Sequence, residues 1–147
     1  MCGACCSGSE GYVLFTDDDA RAIAARLGIT VEEFLGRYTH DMGVEIAGRR
    51  RSINEVPTDH GLDCVFLDRT TMPGKALCSI HEQRPLQCRT FPFWPEHVKN
   101  ESAWRRLGRD CEGVDRGTFI PIEQVRVQTA LHRADRRAPE GPNVERT

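Results

Sequence analysis

Three of the chain's seven cysteines fall in its first six residues, MCGACC. The other four, Cys64, Cys78, Cys88 and Cys111, are scattered over the rest. This distribution constrains the fold more than any other feature. A chain terminus ordinarily frays, so thiols gathered there are useful only if the fold brings distant partners to them. The first residues show no basic stretch leading into an apolar run, the mark of a signal peptide. No apolar stretch approaches the roughly 20 residues that cross a bilayer. Both readings point to the cytoplasm, where thiols stay reduced and clustered cysteines bind metal or do redox chemistry. An odd number of cysteines agrees, since a full set of disulfides would leave one thiol over.

Cys2 and Cys5 form a C-x-x-C with Gly3 inside it. That spacing lets two thiolates grip one ion, and the glycine lets the backbone turn tightly around it. Cys6 follows at once. Neighbouring side chains normally diverge, so Cys5 and Cys6 are expected to serve two adjacent sites, or one site with a thiol in reserve. The later cysteines make no second C-x-x-C, which excludes a zinc ribbon and a ferredoxin pattern. Scattered ligands imply a site assembled by the whole fold, with metal binding coupled to folding. Lys75, Arg84 and Arg89 lie close to cysteines and would offset the negative charge of a thiolate centre. His60 and His81 are the histidines nearest to cysteines.

Other chemistries find less support. Cys78 and His81 have the spacing of a nucleophile and its base, and Cys2–Cys5 the spacing of a thiol redox pair, without the βαβ context that goes with it. The run FPFWP places Phe91, Phe93 and Trp94 between prolines. It reads as a cover over a metal site, or as an exposed patch for a protein partner. A net charge of -2 and a pI near 6.2 give no electrostatic case for nucleic acid or an anionic membrane. The triplet Arg49–Arg51 accordingly reads as a solvated strand or turn face.

The local pattern predicts an α+β domain. Residues 17–39 read as a helical hairpin. Thr16 caps the first helix, Gly28 stops it, and Thr30 with Glu33 makes a capping box for the second. The stretch GSEGYVLFT reads as a loop and then a short strand. Residues 44–56 have β character. DCVFLD and the segment ending at Cys78 read as a β-hairpin that brings Cys64 and Cys78 together. Ser79 and Glu82 make a second capping box over a short helix, Pro85 begins another turn, and FPFWP is irregular. A last helix runs from near Pro121 to about Arg137. The organisation expected is one domain over residues 1–137 and a disordered tail over 138–147.

The motifs CGACC, DCVFLD, LCSIHEQRPLQCRTFPFWP and GRDCEGVDRG together resemble the YkgJ-like cysteine-cluster family, also called the CxxCxxCC or zinc- or iron-chelating domain, over roughly residues 2–117. The resemblance implies a small α+β fold with cysteine-rich metal-binding loops. It implies Cys2, Cys5, Cys6, Cys64, Cys78, Cys88 and Cys111 as ligands, and zinc, iron or an iron–sulfur cluster as the cofactor. The family pattern begins with one more cysteine, three residues ahead of the position of Cys2; either the true start lies upstream of Met1, or this member has one ligand fewer, seven where two full four-thiolate sites need eight. The cysteine region also resembles one in flagellin lysine methylases, which implies iron–sulfur-linked methyl transfer as an alternative. The chain shows no glycine-rich strand–turn–helix loop for S-adenosylmethionine and no C-x-x-x-C-x-x-C.

Overall fold

The computed structural model describes residues 2–137, so the expected tail lies outside the described residues. The chain enters as a single 3-10 turn, Ala4–Cys6, and a two-residue strand β1 (Ser7–Gly8). Helices α1 (Asp17–Leu27) and α2 (Val31–Tyr38) follow as the sequence predicts. Thr16 accepts from the Asp19 amide while the Asp19 carboxylate accepts from the Thr16 amide, and Thr30 and Glu33 repeat the exchange. Each reciprocal pair satisfies amides that a helix start leaves orphaned. Gly28 closes α1 at φ 68°, a left-handed conformation that costs any other residue.

Three small antiparallel sheets make the β part. Strands β2 (Thr39–Ile46) and β3 (Arg49–Ile53) form a hairpin. Strands β4 (Glu55–Thr58) and β5 (Gly61–Cys64) form another, and β1 adds to its free edge in the order β1-β5-β4. Strands β6 (Leu67–Asp68) and β7 (Leu77–Cys78) pair alone. The helices α3 (Leu86–Thr90), α4 (Pro95–Val98), α5 (Glu101–Leu107) and α6 (Ile122–Arg137) complete the chain. The α+β class is as the sequence implies. Among the described residues no helix is long and apolar enough to cross a membrane.

The core joins the helical hairpin to the sheets. Ala20, Ile23 and Ala24 of α1 and Phe34 of α2 pack with Phe15, Ile53, Phe66 and Ile80. Phe34 is fully buried and lies edge-on to Phe15 at 5.5 Å and stacked on Phe66 at 6.5 Å. A second cluster holds α6 in place. Trp94 stacks with both His97 and His132, at 5.3 and 5.1 Å between ring centroids, and the His132 Nδ1 meets the Thr90 hydroxyl at 3.2 Å.

Several local expectations change. Residues 11–16 are not a strand: the Val13 amide donates to the Ser52 hydroxyl and its carbonyl accepts from the Ile53 amide, but no ladder continues. DCVFLD is not one strand. It breaks between β5 and β6, and β6 pairs Leu67 with Cys78, so Cys64 and Cys78 do not face each other across a hairpin. The Ser79–Glu82 box does not form, because the Ser79 hydroxyl donates to the Phe66 carbonyl and the turn His81–Gln83 stays 3-10. The arginine triplet is not a solvated face. Arg49 is buried against Asp135, Arg51 donates to the Leu35 and Thr39 carbonyls, and only Arg50 is exposed.

Burial holds the His132 imidazole below its ordinary pKa of 6.5, with the nearby Arg136 acting the same way and Glu96 and Asp135 opposing. The unfolded chain therefore binds this proton before the folded one does. Stability supplied by the neutral ring is present at pH 7 and falls as pH drops through about 6.5 toward the lower folded value. His132→Gln is expected to flatten that part of the profile, read as the difference in denaturation midpoint between variant and parent from pH 7.5 to 5. An identical pH slope in both proteins would reject the assignment.

Candidate metal centre

The N-terminal turn is built for a tight reversal. Gly3 sits at φ 72°, and its carbonyl accepts from the Cys6 amide at 2.9 Å. A Cβ at this position would stand 2.6 Å from the Ala76 Cβ and 3.3 Å from Leu67, so the glycine lets the turn press against the β6–β7 hairpin. Cys5 and Cys6 do not diverge as expected. The 3-10 turn sets their sulfurs 3.4 Å apart, near the ~3.8 Å that separates two thiolates on one tetrahedral ion with ~2.3 Å bonds. Gly3→Ala is expected to cost about 1–2 kcal/mol through left-handed strain and the clash, and to speed amide exchange at Cys6 about tenfold or more. Unchanged exchange would show that the turn tolerates a Cβ.

Pairing then carries the turn to distant cysteines. Ser7 opposes Asp63 and Gly8 opposes Leu62, so the next residues on each strand, Cys6 and Cys64, come side by side. Gly61 permits this approach, since a Cβ there would lie 2.5 Å from the Gly8 carbonyl oxygen. The buried Asp63 anchors the strand by accepting from Arg69 at 2.7 and 3.1 Å, and the guanidinium holds its carboxyl down at about 2. Cys78 ends β7. Cys88 lies in α3, which is tied to the N-terminal segment by the buried Gln87: its amide nitrogen donates to the Tyr12 carbonyl at 2.9 Å and its oxygen accepts from the Leu14 amide at 3.1 Å. Gln87 escaped the sequence reading, although it stands beside Cys88 with an amide that suits a buried backbone segment.

All seven cysteines line one cavity of about 920 Å³. Cys5, Cys6, Cys64, Cys78 and Cys88 are close enough to feel one another's charge. Cys2, which is exposed, and Cys111 line the same cavity. Arg84 lines it too, with its guanidinium held by the His81 carbonyl at 2.9 Å, and its charge favours the thiolate forms of Cys5, Cys78 and Cys88. His81 is on the wall and His60 is not. Lys75 and Arg89 are not on the wall either. Phe91, Phe93 and Trp94 of FPFWP line the cavity beside the cysteines.

The electrostatics divide the thiols. The Cys6 thiol hydrogen-bonds the Cys5 sulfur and holds it down at about 6, while Cys6 itself is pushed up by the same contact. Burial pushes Cys64 up to about 11 and Cys88 up to about 12, and raises Cys78. A cation entering here would displace several protons. Among the described residues no three Cys, His, Asp or Glu side chains already converge on a single point as the ligands of one ion do. The donor chemistry nonetheless fits a thiophilic metal: seven soft sulfurs and the side chains of Arg84 and Arg116 line a common space.

No solved structure matches this chain significantly. Residues 1–112 match a family model described as "CxxCxxCC: Putative zinc- or iron-chelating domain". That span holds every cysteine on the cavity wall. The chain belongs to the CxxCxxCC family of zinc- or iron-chelating domains.

Proposed function

We propose that the protein binds zinc or iron through cysteine thiolates, with Cys5, Cys6, Cys64, Cys78 and Cys88 as the inner ligands and Cys2 and Cys111 at the margin. The supporting observation is the single cavity that all seven cysteines share. Bound zinc would supply a fixed tetrahedral crosslink between chain segments, and iron the same or a redox-active centre. The chain's own residues do the rest. Cys5 offers the most easily formed thiolate, Arg84 offsets the accumulating negative charge, and Gln87 fixes α3 so that Cys88 faces the N-terminal turn. An iron–sulfur cluster uses the same four-thiolate chemistry.

The test is metal analysis and an absorption spectrum of protein purified without oxygen. Zinc with no visible absorption indicates a closed thiolate site. Iron with sulfide and a broad visible band indicates a cluster. Cys64→Ser with Cys88→Ser is expected to lower metal content at least tenfold, while Cys2→Ser leaves most of it. Folded parent protein that takes up neither metal would overturn the proposal.

A further inference from the structure

The thiols are not equally placed to react with one another. Among the described residues, Cys5 and Cys6 make the one sulfur–sulfur hydrogen bond, at 3.4 Å. The Cys2 sulfur, the C-x-x-C counterpart of Cys5, accepts instead from the Ala4 amide at 3.5 Å. Cys5 is exposed, while Cys6, Cys64, Cys78 and Cys88 are half-buried. A small oxidant arriving from solvent therefore reaches Cys5 with the Cys6 sulfur already against it.

The turn that carries the pair has room to adjust. It is closed by the bond from the Cys6 amide to the Gly3 carbonyl, and none of its residues, Ala4–Cys6, is buried. To bond, the sulfurs must approach from 3.4 Å to the ~2.05 Å of a disulfide. Neighbouring Cα atoms lie only ~3.8 Å apart, short of the ~4.4 Å at the lower end of ordinary disulfides. The bond so formed is strained, and a strained disulfide is easily reduced again.

We infer that Cys5 and Cys6 are a modification site, closed by a peroxide into a reversible disulfide, in place of the Cys2–Cys5 pair that spacing alone suggests for redox chemistry. The Cys5 thiolate attacks one peroxide oxygen, the O–O bond breaks, and hydroxide leaves and is protonated to water. Cys5 is then a sulfenic acid. The Cys6 sulfur attacks the Cys5 sulfur, the S–S bond forms and the S–O bond breaks, and the Cys6 proton leaves with the hydroxyl as a second water. The two thiols lose two electrons, which the peroxide gains. Where a metal is bound, closing the pair withdraws two inner ligands and frees the ion. That consequence rests on the metal-binding reading, whereas the disulfide itself does not.

The test takes the full chain, freed of metal by a chelator, and treats it with hydrogen peroxide at about pH 8, where an ordinary thiol already supplies some thiolate. Free thiols are alkylated with one reagent, disulfides are reduced, and the thiols so released are alkylated with a second. Mass spectrometry of the tryptic peptide 1–21 then locates each label. The second label is expected on Cys5 and Cys6 and the first on Cys2, and dithiothreitol added before alkylation is expected to return all three to the first label. Cys6→Ser, oxidised with dimedone present, is expected to lower the second label on Cys5 at least tenfold and to leave a dimedone adduct there. The second label on Cys2, a disulfide from either residue to Cys64, or no disulfide at all would overturn the inference. Zinc-loaded parent is oxidised beside a zinc indicator, with release expected in step with the disulfide. Zinc retained after the disulfide forms would overturn the consequence for the metal. A chain that forms the disulfide but takes up neither zinc nor iron defeats the metal reading alone.

Discussion

Stripping the metal with a chelator is expected to lower the thermal midpoint by roughly 14–28 °C. The proposed ligands come from segments as far apart as the N-terminal turn, β5, β7 and α3. Binding energy at structural zinc sites, about 10–16 kcal/mol in small zinc-dependent peptides, is folding energy when no site preexists in the unfolded chain. Here Phe34 and its neighbours supply a core of their own, so only part of that amount is at stake. A loss near 7 kcal/mol shifts the midpoint of a domain this size by roughly 14–28 °C. Circular dichroism melts before and after chelation, and after adding back zinc or ferrous iron, measure the effect. Helical signal from α1 and α2 should persist in the stripped protein at low temperature. Equal midpoints with and without chelator would mean that the metal, if bound, holds nothing together.

The second large effect is expected from one carboxylate. Arg49 donates to Asp135 through two nitrogens, at 3.0 and 2.7 Å, with both side chains more than nine-tenths buried. Asp135→Ala leaves a guanidinium buried without its partner, a change that costs about 3–5 kcal/mol in such settings. That corresponds to a fall in midpoint of roughly 10 °C. Replacing both residues, Arg49→Met with Asp135→Leu, is expected to recover most of the loss, because burying two charges is itself expensive. Denaturant titration of the single and double variants completes the cycle. A loss below 1 kcal/mol in Asp135→Ala would show that water reaches the pair.

What could be read in advance follows from the range of the interactions. Thr16, Asp19, Thr30 and Glu33 act within one helical turn, so α1 and α2 are legible residue by residue. Ser79 and Glu82 carry the same local signal, yet the Phe66 carbonyl, thirteen residues back, takes the Ser79 hydroxyl instead. Arg49 looks like one of three surface arginines until α6 brings Asp135 to it, 86 residues on. Helix α5 carries an Asn100 cap on the Ala103 amide, but its seven residues show too short an apolar period to stand out. For the candidate site, the cysteines themselves were legible. The nearness of Cys6 to Cys64 was not, because it depends on the register of a two-residue strand. Nor was the convergence of Cys5 and Cys6, which depends on a single 3-10 turn.

The pairing of β1 with β5 also sets a timetable. Residues 2–8 leave the ribosome well before their strand partner, which is made more than fifty residues later, and Cys88 lies 82 residues after Cys6. At 5–20 residues per second, the earliest thiols wait on the order of ten seconds for the last of their inner companions. During that interval Cys2, Cys5 and Cys6 travel on an unpaired segment, open to any oxidant or stray ion in their surroundings. A cell that makes this protein must keep these early thiols reduced until the rest of the chain arrives to enclose them.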